Sequence, residues 1–169
     1  MQIIGKDKVI YSFSQKNPPV YEVADGETFW VETDDCYNGQ IKDEKTLRTD
    51  IDISIMDCAV GPIAVAGAQK GDILKIDIIA IQTADYGVMV TKKGMGILGD
   101  DVVTPDTKII PIKDGFAYIT SEIRIPLTPM MGVLGVYPRD DEDIHCAIPG
   151  DHGANMYTSQ SLKKEQVLL

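Results

Sequence analysis

The sequence contains few histidines and cysteines, the residues that most often bind transition metals or act as nucleophiles. It has two histidines, His145 and His152, and three cysteines, none of them spaced as in a zinc knuckle. The odd number of cysteines argues against a disulfide scaffold and indicates a reducing compartment. No stretch approaches the ~18 consecutive apolar residues of a transmembrane helix. Residues 1–7 lack the basic and apolar pattern of a signal peptide. Together these absences predict a cytoplasmic protein with no membrane partner.

Basic residues are also scarce. The chain has 16 Lys and Arg against 26 Asp and Glu, which gives a formal net charge of −10. The longest basic runs are two lysines, at residues 92–93 and 163–164. A nucleic-acid partner requires a basic patch, so none is expected.

The aliphatic residues that are present indicate the fold class. There are 22 Ile and 13 Val against 8 Leu, and branching at Cβ favours a pleated strand over a helix. Glycine and proline interrupt the chain at short intervals. We therefore predict a mainly β protein with little helix, organised over residues 1–169 as a single β-rich unit without a dividing linker.

The strongest strand pattern lies at residues 73–83, and Ile51, Ile53 and Ile55 alternate with polar residues as in a half-buried strand. Asp114-Gly115 predicts a hairpin turn between strands at 108–112 and 116–119. Residues 84–107 are rich in glycine and predict a long loop. The C-terminal residues 159–169 fit either a helix or a strand. Further strands are predicted over residues 3–14, 27–33, 61–65, 123–126 and 131–137.

Two segments concentrate acid–base and metal-binding side chains beside turn-forming residues, at 32–40 and 149–156. A carboxylate from the first and the His152 imidazole from the second would supply two ligands to one cation, whereas a catalytic zinc usually takes three from the protein. The patterns also fit simpler roles. Asp34 and Asp35 are typical turn residues, and His152 in a glycine-rich loop is equally compatible with a structural position.

The remaining candidates are weaker. His145 beside acidic residues is expected at the surface. Cys36 could act as a nucleophile with His152, but Asp34 and Asp35 would raise its pKa. A free cysteine is more often a small buried hydrophobe, and this is the prediction for Cys58 and Cys146.

Four segments, in this order along the chain, resemble motifs of the acetamidase/formamidase family. Three resemble the family's F-T-D, GPI-V-GA-pGD-L and IP-PM-G-iGVaP stretches, and the fourth is similar to its PG-HGGNMD signature. The segments are FWVETDDC at 29–36 with Gln40 following, GPIAVAGAQKGDIL at 61–74, IPLTPMMGVLGV at 125–136 and PGDHGANM at 149–156.

The resemblance implies an acetamidase/formamidase-like β-sandwich or barrel and the metal-dependent hydrolysis of small linear amides, formamide or acetamide, to a carboxylate and ammonia. A divalent metal is implied, zinc first and calcium as the alternative. A metal ion of this kind lowers the pKa of bound water and polarises a carbonyl. By matching position, Asp35 and His152 are the metal ligands. Asn155 completes the catalytic set by bonding the substrate or orienting a ligand.

The chain also departs from the family pattern. Ala154 replaces the second signature glycine, Tyr157 replaces the following acidic residue, and Asp57-Cys58 stands where Asn-Pro is expected. The GD-HA-QGDGE motif of the family's second half is absent. The chain therefore corresponds to the N-terminal half of such an enzyme, with an incomplete site of its own. This predicts a homo-oligomer or a second polypeptide that supplies the missing half. The alternative is a non-catalytic binding or scaffold subunit that retains the amidase fold.

Overall fold

The computed structural model of the chain describes residues 1–155 and is built almost entirely from short β-strands. Its only helices within that range are two single 3-10 turns, Ile53–Ile55 and Gly99–Asp101. The predicted mainly β class with little helix is therefore confirmed. The strands are β1 Ile3–Ile4, β2 Val9–Ile10, β3 Ser12–Phe13, β4 Tyr21–Val23, β5 Trp30–Val31, β6 Ala59–Val60, β7 Ile63–Val65, β8 Tyr86–Thr91, β9 Asp106–Lys113, β10 Phe116–Tyr118, β11 Arg124–Pro126, β12 Val133–Gly135, β13 Ile144–His145 and β14 Gly153–Asn155.

The contacts divide the chain into two compact units. The first unit contains Met1–Asn38, Ser54–Ile79 and the described residues from Met130 onward, and the second contains Gly39–Ile53 and Ala80–Pro129. Both units are assembled from stretches distant in sequence. The prediction of one β-rich unit stays a prediction.

The first unit consists of five pairs of short strands. β1 pairs with β5 and β4 with β7 in parallel, while β2 pairs with β6, β3 with β13 and β12 with β14 in antiparallel register. Phe13, Cys146 and Ala154 form its buried cluster, with Ile10 and Ala59 packed against it. The histidine-containing segment, residues 150–155, is thus attached to the core of this unit.

The second unit contains a four-stranded antiparallel sheet in the order β11-β10-β9-β8. The predicted hairpin is formed by β9 and β10, the two central strands of this sheet, with Phe116 opposite Lys113. Asp114 and Gly115 both have positive φ, 52° and 77°, as a two-residue hairpin turn requires.

Three sequence predictions were wrong. Residues 73–83 form no strand in the described structure, and Ile73 and Ile79 are 81% and 70% exposed. Ile53 and Ile55 belong to a 3-10 turn, not a half-buried strand, and Ile53 is 64% exposed. Residues 84–107 are not one long loop, because β8 occupies their start and pairs with β9 along its whole length. In the third case, pairing with β9 and not the local composition decided the outcome.

The other predicted strands are present but shorter. The segment predicted at 3–14 is divided among β1, β2 and β3, each only two residues long. The undecided segment at 159–169 lies outside the described residues, as do the lysines at 163–164 and Tyr157. Across residues 1–155, we find no helix with both the length and the apolar character needed to cross a membrane.

Candidate functional site

His152 lies in a tight turn formed by residues 150–153. The Gly150 N–H donates to the Gly153 carbonyl oxygen at 3.1 Å, and the Gly153 N–H donates to the Gly150 carbonyl oxygen at 2.9 Å. Because these two hydrogen bonds join Gly150 and Gly153 in both directions, Asp151 and His152 are the two central residues of the turn. β14 begins at Gly153 and runs antiparallel to β12. The turn is therefore connected directly to a paired strand of the first unit.

The backbone of the turn lies unusually close to β12. A Cβ on Gly153 would be 2.5 Å from the Leu134 carbonyl oxygen, and a Cβ on Gly135 would be 2.6 Å from the His152 carbonyl oxygen. Gly153 also has a φ of +96°, which glycine adopts without steric penalty. The Val136 N–H donates to the His152 carbonyl oxygen at 2.8 Å. Because residues 135 and 153 are both glycine, the backbone of the turn and the backbone of β12 can approach this closely.

The His152 side chain is buried, with 5% exposure. Its ring lies against the Phe13 ring, with centroids 5.4 Å apart and planes inclined by 57°. Its Nδ1 edge faces Gly150, where a Cβ would be 2.9 Å away. The Nε2 atom is buried and has no hydrogen-bond partner among residues 1–155. An unpaired buried polar atom costs about 1–3 kcal/mol. Such an exception calls for an explanation, for example a catalytic role or an ion.

Ala154 and Asn155 continue the motif into β14. Ala154 is fully buried and has a φ of +80°, a conformation that costs a non-glycine residue about 1–2 kcal/mol. This is the position where the resemblance expects glycine, so the left-handed backbone conformation is present even though the residue differs. Asn155 is half-buried and stands opposite Val133 in the strand register.

Asp35 occupies a turn that follows β5. Its Oδ1 accepts a hydrogen bond from the Tyr37 N–H at 3.1 Å, and its carbonyl oxygen accepts one from the Asn38 N–H at 2.9 Å. Asp34 forms an ion pair with Lys6. Both aspartates therefore have the turn and surface contacts that their sequence pattern also allowed.

Asp35 and His152 both belong to the first unit, but Asp35 is exposed whereas His152 is buried. Nε2 has no hydrogen-bond partner among residues 1–155, so it makes no hydrogen bond to the Asp35 carboxylate. Within residues 1–155, no three or more His, Cys, Asp or Glu side chains are grouped so that they could hold a metal ion. The metal-ligand roles of both residues, and the catalytic role of Asn155, stay predictions.

Sequence reasoning did not identify Phe13 or Gly135 as parts of this site. Phe13 lies in a predicted strand far from His152 along the chain, and no motif connects the two residues. Gly135 lies in the segment at 125–136 that resembles a family motif, but that motif does not place it beside His152. Only the β12–β14 register brings its Cα against the turn.

The second histidine has a different environment. His145 lies in β13, is half-buried, and accepts a hydrogen bond at Nδ1 from the Ala147 N–H at 3.1 Å. His145 is thus less exposed than its acidic neighbours in the sequence suggest. Its imidazole signals serve as an internal reference for spectroscopic measurements on His152.

The thiol pKa is raised at all three cysteines. Partial burial of the Cys36 thiol, with further contributions from Asp35 and Asp57, raises its pKa to about 11. Burial also raises the pKa of Cys58, and it raises that of Cys146, whose side chain is fully buried, to about 12. A raised pKa leaves less thiolate at neutral pH, which disfavours the Cys36 hypothesis.

We expect iodoacetamide to label Cys36 at pH 8 about tenfold more slowly than a free cysteine. The raised pKa cuts the thiolate fraction about a hundredfold, and the greater intrinsic nucleophilicity of a high-pKa thiolate restores roughly a factor of ten. The rate should keep rising up to pH 10, because the folded pKa lies above that value. Residue-resolved mass spectrometry over a pH series measures this, with the urea-unfolded chain as control. A rate plateau below pH 9 would contradict it.

Comparison with known proteins identifies the family to which this architecture belongs. The model of the acetamidase/formamidase family matches residues 7–145. The chain belongs to the acetamidase/formamidase family. A formamidase of Methylophilus methylotrophus is 32% identical over a 91-residue alignment, and the match covers 49% of this chain and 22% of that protein.

Solved acetamidases share the fold. An acetamidase of Bacillus halodurans matches 94% of this chain and 53% of its own length, with a TM-score of 0.89 and 35% identity. A predicted acetamidase/formamidase of Thermoanaerobacter tengcongensis matches 94% of this chain and 52% of its own length, with a TM-score of 0.88 and 39% identity. An acetamidase of Yersinia enterocolitica, at 21% identity and a TM-score of 0.77, supports the fold alone. The chain thus spans about half the length of these family members.

The family resemblance implies a divalent metal, and the residues present fit such an ion in part. The buried Nε2 of His152 is an unpaired donor of the type that zinc accepts, and the absence of a Cβ at Gly150 leaves room for the ring beside the turn. The other protein ligands are not assembled around it within residues 1–155. The fit therefore rests on one imidazole.

Proposed function

We propose that this member of the acetamidase/formamidase family acts in the hydrolysis of small linear amides, formamide or acetamide, to a carboxylate and ammonia. The observation that carries the proposal is the buried Nε2 of His152, which has no hydrogen-bond partner among residues 1–155 and lies in the segment that resembles the family's histidine signature. The family match and the likeness to solved acetamidases at 35% and 39% identity support it.

In this proposal the chain's own residues hold and orient the reacting groups. His152 would bind a divalent ion through Nε2, with zinc preferred and calcium as the alternative. Asp35 would contribute a carboxylate, and the Asn155 amide would donate or accept a hydrogen bond at the substrate. The ion, when bound, supplies Lewis acidity towards the amide carbonyl.

The proposal includes a second polypeptide or a second copy of the chain that completes the site. It is supported by the absence of a three-residue ligand group within residues 1–155 and by the large exposed apolar side chains of both units. Ile73 is 81% exposed in the first unit, and in the second unit Val103 is 93% exposed and Ile97 fully so. Apolar groups of this kind are typical of surfaces that another chain covers.

A non-catalytic binding or scaffold subunit is the second candidate. It is favoured by the same lack of a grouped ligand set, and by Ala154 at a backbone position with positive φ. The two candidates differ in one property, because a scaffold has no need of stoichiometric metal bound at His152.

We expect Zn²⁺ to shift the imidazole signals of His152 and to leave those of His145 unchanged. The chain has only these two histidines, so ¹H–¹⁵N spectra resolve both without any substitution. His152→Gln should remove the response and His145→Gln should preserve it, with circular dichroism as the check that both variants fold. A stoichiometric response that survives in His152→Gln would refute this metal site and favour the scaffold candidate.

Ammonia release tests the activity itself. The chain is assayed with formamide and acetamide alone at two concentrations, and then together with a polypeptide that carries the second half of a family member. Completion by a second copy predicts specific activity that rises with concentration, and completion by a second polypeptide predicts activity only in the mixture. Inactivity in every arm, with folded chains and added zinc, would refute the amidase proposal.

A further inference from the structure

β8 lies at one edge of the four-stranded sheet of the second unit, and no strand within residues 1–155 pairs with its outer side. The Ile112 N–H donates to the Asp85 carbonyl oxygen at 2.7 Å, which fixes the residues whose backbone groups face β9. Backbone groups alternate between the two sides of a strand in such a ladder, so residues 87, 89 and 91 also face β9. The outward-facing residues are Tyr86, Val88 and Val90. Their N–H and C=O groups have no hydrogen-bond partner within residues 1–155.

The outer edge of β8 lacks the features that block pairing at the edges of natural sheets. The strand reads Tyr-Gly-Val-Met-Val-Thr, without a charged residue or a proline, and its register with β9 runs over six residues without a bulge. β11, at the other edge of the sheet, is three residues long, begins with Arg124 and ends with Pro126. β8 is therefore the edge to which a further strand can be added.

The residues that flank β8 carry opposite charges. Asp85 precedes the strand, Lys92 and Lys93 follow it, and all three are exposed. None of them forms an ion pair with another residue in the described part of the chain. A second β8 in antiparallel orientation would bring the aspartate of each copy towards the lysines of the other. A parallel copy would place like charges opposite each other, which is unfavourable. The edge is thus complementary to itself in one orientation, as an isologous contact requires.

We propose that β8 is a self-association edge that pairs antiparallel with β8 of a second copy of this chain. The outward-facing residues define the register, with Val88 opposite Val88 of the second copy and Tyr86 opposite its Val90. Every outward N–H and C=O group of β8 then has a partner. Asp85 lies on the same face as Lys93 of the second copy, as its diagonal neighbour. The inference goes beyond the proposed function, because this pairing requires neither amide hydrolysis nor a metal ion.

Amide hydrogen exchange of the full chain tests the pairing residue by residue. At low protein concentration, residues 87, 89 and 91 should be protected by β9 while residues 86, 88 and 90 exchange freely, so protection alternates along β8. At high concentration, the outward amides should exchange at least about tenfold more slowly, because they open only when the pair dissociates. Sedimentation should then give twice the 18.5 kDa mass of one chain.

Two outcomes of the exchange measurement would overturn the proposal. The first is alternating protection that persists at high concentration. The second is full protection of residues 86, 88 and 90 in a protein that sediments as a monomer, because the chain would then cover its own edge.

Charge reversal distinguishes β8 from any other surface of self-association. Asp85→Lys replaces an attraction by a repulsion at both ends of the paired strands and should weaken self-association about tenfold. Adding Lys93→Asp to this variant should restore the affinity to within about twofold of the wild type. Glu122→Lys is the matched control, because it makes the same charge change at an exposed residue that precedes β11 in the same unit.

Circular dichroism identifies any variant that fails to fold. A dimer whose affinity is unchanged in Asp85→Lys, or is weakened equally in Glu122→Lys, would overturn the assignment to β8. Because neither measurement uses ammonia release or zinc, such a failure leaves the amidase proposal standing. Inactivity towards formamide and acetamide, in turn, does not affect the pairing of β8.

Discussion

Gly153→Ala is expected to lower the free energy of unfolding by about 2–5 kcal/mol. A φ of +96° costs an alanine about 1–2 kcal/mol. The added Cβ would also lie 2.5 Å from the Leu134 carbonyl oxygen and 2.9 Å from the Gly135 Cα. Both atoms belong to the backbone of β12, so they cannot move aside as a flexible side chain would, and forcing such a contact adds about 1–3 kcal/mol. The loss should be visible in chemical denaturation curves.

Gly26→Ala is the matched control for this prediction. Gly26 also has a positive φ, +73°, but a Cβ there would meet nothing within 4 Å. Its alanine variant has only the conformational cost, which is partly offset because alanine restricts the unfolded chain. We expect Gly26→Ala to lower the free energy of unfolding by about 1 kcal/mol or less. Equal losses in Gly153→Ala and Gly26→Ala would show that the close approach of the turn to β12 contributes nothing to stability.

Ile4→Ala is expected to lower the free energy of unfolding by about 2–5 kcal/mol, the range for truncating a fully buried isoleucine side chain to alanine. Ile4 is 0% exposed and lies in β1, where it stands opposite Val31 of β5. The backbone of the same residue accepts a hydrogen bond from the Glu32 N–H at 2.9 Å, and the substitution leaves this bond unchanged. The loss therefore measures side-chain burial.

Ile3→Ala provides the comparison within the same strand. Ile3 is 62% exposed, and the same two-residue pairing holds it opposite Trp30. Surface substitutions of this kind usually change stability by no more than about 0.5 kcal/mol. Urea denaturation of both variants gives the difference. A cost for Ile3→Ala as large as that for Ile4→Ala would contradict the assignment of the two side chains to opposite faces of β1.

The hairpin around Asp114-Gly115 and the failed strand at residues 73–83 show which parts of the fold are encoded locally. The hairpin was predictable because two adjacent residues adopt the positive φ values that the turn needs. The segment at 73–83 has a stronger strand pattern, yet Ile73 and Ile79 remain exposed. A strand also needs a partner for its backbone hydrogen bonds, and the pattern of one segment contains no information about its partner.

β8 also shows that a strand depends on its partner as well as on its own sequence pattern. Glycine in residues 84–107 predicted a loop, but Tyr86–Thr91 pairs in full with β9. The two strands of this pair are separated by a turn whose Gly94 N–H donates to the Gly99 carbonyl oxygen at 2.9 Å. Gly94, Gly96 and Gly99 belong to the connection, whereas Gly87 lies within β8 opposite Ile110. The strand before the connection is stabilised by its pairing with β9.

The sequence by itself determined the fold class, the hairpin turn and the family, since these depend on composition, on adjacent residues and on motifs read in order. It also singled out His152. Only the tertiary structure decided that this histidine is buried against Phe13, that Gly150 lies beneath Nδ1 and that Nε2 has no partner among the described residues. The physical reason is distance along the chain. Burial and close approach are produced by residues that the β3–β13 and β12–β14 pairings bring together, and no local pattern specifies those pairings.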